Sequence, residues 1–458
     1  MKNSNPIGTP EAVISPRSES ISRPGISSNY SNKSMGLGIY LVIVFGLFCL
    51  ALALRAVPGG ARRNDFNAYY ASAVALRRGL DPYLTNLTAL TYQLQLHPDP
   101  ISYPGDTPTF ILATEPLALL SPRNAYRFWT LASMLCIAAS LFLLFGPSSG
   151  LNRRSAIVLS VAMLGFAPMS FNLFISQSQT FVMFGILLFY RLTERGRDLW
   201  AGALLGALGL LRGYPLALGG YLLVQRRWQS ILSAAIAFVV GLLVTIMFLG
   251  IEPVVNFLRM IGLFGGHEWL SLPPRWEVIP VNLSCNAFLD RPLMLLFGIN
   301  LPPVARVIRE VIVLSTDVAI LVATFHATAG ANEERGLALW TVTMLMITPV
   351  IWLCYVMLLI VPFGLIGKAL AFHQTGNRVR RMTILSYSLL VIGTPFLVRA
   401  IMPLRLTWRT TVLSELGFIA MLVAWFGTYL FATEPLSESS QAEALPDFRR
   451  PASSVSLL

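Results

Sequence analysis

The feature that most constrains this chain is a succession of apolar runs of membrane length. A helix needs about 20 mainly apolar residues to cross a bilayer. Such runs fall at roughly 37–57, 125–146, 155–171, 173–190, 201–224, 230–251, 303–326, 337–366, 384–402 and 412–431. Backbone that meets lipid must satisfy its own hydrogen bonds, so the chain reads as an all-α polytopic membrane protein. Composition agrees: 55% of residues are hydrophobic and 12% charged, with a mean hydropathy of +0.65. A soluble protein carries about 25% charged residues.

The formal charge of +12 would suggest nucleic acid in a soluble domain. Here most Lys and Arg sit in short loops between apolar runs, as the positive-inside rule requires, so no nucleic-acid partner is expected. Cys49, Cys136, Cys285 and Cys354 form no CxxC or Cys/His cluster, which implies neither a disulfide framework nor a zinc site. Residues 1–36 hold nine Ser and four Pro without an apolar run. They read as a disordered cytoplasmic tail, and residues 433–458 read the same way. The membrane domain is then 37–432.

Basic clusters set the expected orientation. Arg153-Arg154, Arg191 with Arg195 and Arg197, Arg226-Arg227, and Lys368 with Arg378, Arg380 and Arg381 should all face the cytoplasm. Runs 201–224 and 337–366 then have basic clusters at both ends. Each also carries a mid-run breaker, Arg212-Gly213-Tyr214-Pro215 in one and Thr348-Pro349-Val350-Ile351-Trp352 in the other. Both read as broken-helix hairpins whose tips point outward, a geometry tolerated where backbone is buried in protein or lines a cavity. The other runs cross once, giving about eight full crossings and two cytoplasmic termini. The outward loops 58–124 and 252–302 are expected to carry amphipathic surface helices at 68–80 and 256–264.

Under this topology the unusual residues converge outside: Asp65, Gln177 and Gln179, Arg212, Trp352, and the group Asn282, Ser284 and Arg291. A charge such as Arg212 near the membrane interior costs about 2.5–3.5 kcal/mol or more, so it is either functional or paired. A guanidinium fork suits a lipid phosphate. The other readings are snorkelling to the interface or a pair with Asp317. Asp65 stands just before Phe66-Asn67-Ala68-Tyr69-Tyr70 and suits either a general base or a helix N-cap. Asp81-Pro82-Tyr83 after Gly79 reads as a turn. Tyr69 and Tyr70, with Trp129, read as interfacial aromatics.

Taken together, the strings resemble the polyprenol-phosphate-sugar-dependent glycosyltransferases of the GT-C class, and specifically glycosyltransferase family 87, the alpha-mannosyltransferase-like group once catalogued as a domain of unknown function. The resemblance covers roughly 40–430. It rests on Asp65-Phe66 through Tyr69 and Ala71, Gly79-Leu80-Asp81-Pro82-Tyr83, Tyr103-Pro104, Glu115-Pro116-Leu117 and Trp129. It continues through Ser178-Gln179, Arg212-Gly213-Tyr214-Pro215, Asn282-x-Ser284 with Arg291, and Thr348-Pro349-Val350-Ile351-Trp352. Arg212 stands where the family usually has Lys, and Cys354-Tyr355 stand where it commonly has one or two His.

The resemblance implies a GT-C-type fold and a hexose donor, most simply mannose on a polyprenyl phosphate. It implies a glycolipid or glycan acceptor, Asp65 as base in an inverting displacement, and Arg212 on the donor phosphate. Tyr69, Tyr70, Gln179, Asn282, Ser284, Arg291, Trp352 and Tyr355 are its candidate substrate contacts, with no metal or other cofactor. The expected location is the bacterial inner membrane with the active site facing outward. A secondary transporter, a ligase or polymerase acting on lipid-linked oligosaccharide, and a lipid-binding scaffold are the competing readings.

Overall fold

The computed structural model describes residues 29–56, 65–96, 105–260, 281–298, 302–401 and 407–435. The expected elements at Tyr103-Pro104 and beyond Met260 in the second surface helix lie outside these, as do most of the two tails. The chain divides into Met1–Gly38 and Ile39–Leu458. The first unit is described only from Asn29, where it is helical, and all that follows concerns the second.

The described elements are helices, in the order α1 (Asn29–Ala56), α2 (Phe66–Arg77), α3 (Leu87–Gln93), α4 (Pro108–Thr114), α5 (Pro122–Phe145), α6 (Arg153–Leu164), α7 (Ala167–Ile175), α8 (Gln179–Glu194) and α9 (Asp198–Arg212). They continue with α10 (Gly219–Val224), α11 (Trp228–Leu249), α12 (Ile251–Met260), α13 (Cys285–Phe297), α14 (Pro303–Thr328), α15 (Glu333–Met346), α16 (Ile360–Ala371), α17 (Asn377–Ile401) and α18 (Trp408–Thr433). Helix α1 begins at Asn29, inside the stretch expected to be a tail, because extending a formed helix adds a hydrogen bond per residue without a new nucleus.

Among the described residues, α5, α11, α16 with the 3-10 turn before it, α17 and α18 are long and apolar enough to cross a membrane. The bent pair α6 and α7 makes a sixth if counted as one span. The run expected at 155–171 is this bent pair, and the run expected at 173–190 covers the end of α7 and most of α8. Helices α6 and α7 bend by 53° at Gly165-Phe166, where Pro168 in the first turn of α7 would clash with the carbonyl four residues back in a continuous helix. Gly165 also lies backbone to backbone against Gly46 of α1, where a Cβ would meet its carbonyl oxygen at 1.6 Å. Helix α7 then ends at Ser176 in the left-handed conformation, φ 59°, and α8 starts only at Gln179.

Both hairpins close at one end of the bundle through ion pairs. Arg227, just past α10, meets Asp198 at the start of α9 at 2.8 Å, and also meets Glu333 at the start of α15. Lys368 near the end of α16 meets Glu334 at 2.5 Å. The start and finish of 198–227 therefore coincide in space, and so do those of 333–368. Helix α9 packs on α11 through Gly202 and Gly206, where added Cβ atoms would meet Ser230 and Ala234 carbonyl oxygens at 2.0 and 2.4 Å. Small residues of this kind let membrane helices approach closely.

The second hairpin is the hub of the molecule. Every residue of α15 from Arg335 to Met346 is buried, the pattern of a helix that is apolar all round. The span Leu353–Ala371 is 78% buried inside the protein, whereas Trp228–Leu249 of α11 is 11% buried and presents its apolar side chains outward, as to lipid.

At the end opposite the ion pairs, α2, α3 and α4 form a cap. The expected surface helix at 68–80 is instead α2, with Phe66, Tyr69, Tyr70 and the run Ala71–Ala75 all buried. Its aromatic side chains pack with Phe110 of α4 and Trp129 of α5. Its polar residues Asn67 and Ser72 are buried too. The helix is packed all round, which an amphipathic reading of the sequence does not anticipate.

Candidate active site

The site lies where the C-terminal end of α9, the N-terminal end of α8 and the cap helices meet. Asp65 directly precedes α2, yet its side chain makes no capping hydrogen bond. Its carboxylate Oδ2 instead accepts from the Gln177 side-chain amide, and its backbone N–H donates to the Ile175 carbonyl at 2.8 Å. The left-handed turn at Ser176 places Gln177 there. Asp65 is only half-buried.

Arg212 is 8% exposed at the last position of α9. Its Nε and Nη2 both donate to Ser178 Oγ, at 2.9 and 2.5 Å, and Nη2 also donates to the Tyr69 hydroxyl at 3.1 Å. Nη1 pairs with Asp106 Oδ1 at 2.5 Å. The guanidinium lies 4.7 Å from the Phe110 ring centroid and 5.8 Å from that of Tyr69, a cation–π arrangement. The partner of Arg212 is thus Asp106, and neither snorkelling nor Asp317 accounts for its burial.

These contacts join into one directed chain. Arg212 donates to the Tyr69 oxygen, the Tyr69 hydroxyl donates to Gln177 Oε1 at 2.6 Å, and the Gln177 amide donates to Asp65. The amide orientation follows from this network. The chain fixes the buried cation and the half-buried carboxylate relative to each other.

Asp106 is held from a third side. The Tyr83 hydroxyl donates to its carbonyl at 2.7 Å. Asp81 shapes the turn that carries Tyr83, its Oδ1 accepting from the Tyr83 N–H at 2.8 Å and its Oδ2 from Asn256 of α12 at 2.7 Å. The Asp-Pro-Tyr string is therefore the expected turn, and it positions the partner of Arg212. Burial pushes the Asp106 carboxyl above the usual carboxylate range while the Arg212 charge and hydrogen bond pull it back. Burial also raises the Tyr83 phenol well above its ordinary value, so it remains a donor. Thr107 next door caps α9, its hydroxyl donating to the Leu210 carbonyl at 2.6 Å.

The second hairpin approaches the same place. Asn282 and Trp352 form an isolated antiparallel bridge. Asn282 Oδ1 accepts from the Ser284 and Ile351 amides at 3.1 and 3.0 Å. The Ser284 hydroxyl caps α13 at Ala287, 3.2 Å. Arg291, 0% exposed, donates to the Asn282 carbonyl at 2.5 Å and to Glu415 at 2.9 Å. These three candidate contacts therefore support the backbone that presents half-buried Trp352. Beyond it, the Tyr355 ring lies 5.3 Å from Tyr214, and the Tyr214 hydroxyl donates to Gln179 Oε1. Gln179 Nε2 is buried without a protein partner.

Tyr69 and Tyr70 are 3% and 4% exposed. Tyr69 packs edge-on against Phe110, and the Tyr70 hydroxyl donates to the Leu120 carbonyl at 2.8 Å. Both rings are thus packed among neighbouring side chains. Asp106, Ser178 and Tyr83 went unmarked as site residues in the sequence. Arg212 implied a buried acid, but loop 58–124 also holds Asp65, Asp81, Asp99 and Glu115, and nothing local singles out Asp106. Among the described residues no three His, Cys, Asp or Glu side chains gather as metal ligands would.

No curated protein and no solved structure matches the chain. The family model for glycosyltransferase family 87 matches residues 105–349. That stretch is more than half of the chain and includes Asp106, Ser178, Arg212 and Asn282, while Asp65 precedes it and Trp352 follows it. With an all-helical membrane fold and a polar site at one end of the bundle, the chain belongs to glycosyltransferase family 87.

Proposed function

We propose that this membrane glycosyltransferase moves a hexose, most simply mannose, from a polyprenyl-phosphate donor to a lipid-linked or glycan acceptor. The observation that carries the reading is the chain from Arg212 through Tyr69 and Gln177 to Asp65. It gives a fixed spacing between a cation for the leaving phosphate and a carboxylate for the incoming hydroxyl. Asp65 takes the proton of the acceptor hydroxyl as that oxygen bonds to the anomeric carbon. The carbon–oxygen bond to the phosphate breaks on the opposite face, its electron pair leaves with the phosphate, and the configuration inverts. A monophosphate needs little protonation to leave, so one carboxylate suffices.

Arg212 stabilises the charge that grows on the phosphate. Of its five N–H donors, four are engaged by Ser178, Tyr69 and Asp106, which leaves one on Nη1 for a phosphate oxygen. Trp352 and Tyr355 contact the sugar in this reading. The site needs no metal in this mechanism. It faces the exterior of the bacterial inner membrane, and both termini lie in the cytoplasm, in line with the basic clusters along the sequence.

The test is transfer by purified protein in lipid nanodiscs from radiolabelled polyprenyl-phosphate mannose, with EDTA present and a host lipid extract as acceptor. Expected is a labelled product whose anomeric configuration, read by NMR coupling constants, is opposite to that of the donor. Retained configuration, loss of transfer with EDTA, or transfer from a sugar nucleotide alone would each contradict part of the proposal.

A further inference from the structure

At the ion-paired end, far along the bundle from Asp65, a groove of about 500 Å³ opens between α6, the end of α16 and the start of α17. Its floor is apolar, with Val158, Leu159 and Ile384, and its rim carries the cations Arg154 and Arg380. No Asp or Glu is among its lining residues. Glu434, the carboxylate that meets this turn, accepts from the Gly376 amide at 2.8 Å and does not line the groove.

Two further observations bear on the occupant. Helices α6 and α17, of 12 and 25 residues, both begin at the groove, and helix N-termini carry partial positive charge. Neighbouring Ile157, Val158 and Leu385 are 53%, 55% and 46% exposed, so an apolar surface continues from the groove along the outside of the bundle.

We propose that this groove binds the headgroup phosphate of an anionic phospholipid, with Arg154 and Arg380 on the phosphate and the acyl chains along the adjoining apolar face. A soluble phosphate has no use for the apolar floor or for the surface beyond it. A zwitterionic lipid brings a cation that two arginines and two helix N-termini would repel. Basic pockets between membrane helices are suited to anionic headgroups for this reason.

The test uses native mass spectrometry of the full chain in detergent, titrated with phosphatidylglycerol, phosphatidylcholine or glycerol phosphate. Expected is tighter binding of phosphatidylglycerol than of phosphatidylcholine. Binding should weaken by about ten-fold or more in the double variant Arg154→Gln/Arg380→Gln, from roughly an order-unity kcal/mol contribution per arginine. Arg195→Gln/Arg197→Gln removes the same charge elsewhere at this end and should change binding less than about two-fold. Arg154→Lys/Arg380→Lys keeps the charge, so it should keep the preference even if the glutamine variant fails to fold. Equal loss in both glutamine doubles would mean a diffuse basic surface. Equal binding of the two lipids, or displacement of phosphatidylglycerol by glycerol phosphate at equal concentration, would overturn the lipid assignment.

Discussion

Arg212 arrives at the site already neutralised. Its charge is compensated by Asp106 at 2.5 Å, with both side chains 7% exposed, so a donor phosphate must share the guanidinium with a carboxylate. Burial already favours the protonated form of Asp106, and an anionic phosphate nearby pushes in the same direction. Donor binding is therefore expected to be coupled to proton uptake at Asp106. The sign follows: as pH falls toward the raised range of this carboxyl, its negative charge is lost and donor binding tightens; as pH rises above that range, binding weakens. Asp106→Asn should bind donor like the wild type at low pH and show no slope, as measured by donor affinity across a pH series. A variant that keeps the full slope would remove Asp106 from this role. At this scale the sequence was readable where a residue was out of place for its segment. Arg212 in an apolar run and Asp65 at the mouth of another were conspicuous. Asp106 and Ser178 are ordinary loop residues, and only the folded backbone brings them to the guanidinium.

The breakers decide the architecture among the elements. Arg212-Gly213-Tyr214-Pro215 ends α9 and turns the chain back through a 3-10 turn, Tyr214–Leu218, to α10. Thr348-Pro349 does the same between α15 and α16. Both were legible because basic residues flanked each run and a single crossing could not satisfy them. The bend at Gly165-Phe166 was missed, although Gly165 and Pro168 inside the apolar run mark a helix break. The burial of α2 was not legible, since it depends on α4 and α5 covering it from outside. The position of Arg212 depends on the close contact between α9 and α11. Gly206→Leu would drive a side chain into the Ala234 carbonyl, where even a Cβ falls at 2.4 Å, and overpacking of this kind costs about 1–3 kcal/mol. Gly393→Ala in α17, where an added Cβ meets nothing within 4 Å, should be neutral or slightly stabilising. Thermal melting in detergent compares them. Equal melting temperatures for Gly206→Leu and wild type would mean that this contact does not hold α9.

The unit from Ile39 onward has two chemically distinct ends. One is tied by Arg227, Lys368 and their carboxylate partners, which hold both hairpins shut. The other gathers Asp65, Gln177, Arg212, Asp106 and the Trp352–Tyr355 segment. The hairpins run from the first end to the second, so ion pairs at one face of the bundle fix the backbone of the site at the other. That division was foreshadowed by the distribution of Lys and Arg along the sequence. The contacts at the site end were not, because they join residues more than a hundred positions apart, such as Tyr69 with Gln177 and with Arg212.

Asp65 is proposed as the base for sugar transfer. That role is tested most directly by comparing wild type with Asp65→Asn in nanodiscs, measuring both transfer from polyprenyl-phosphate mannose and binding of that donor. The account predicts that the variant binds donor within about two-fold of wild type and loses transfer by about 10²–10⁴-fold, the range for removal of a general base. Asparagine with undiminished transfer would contradict it and reduce Asp65 to a structural partner of Gln177.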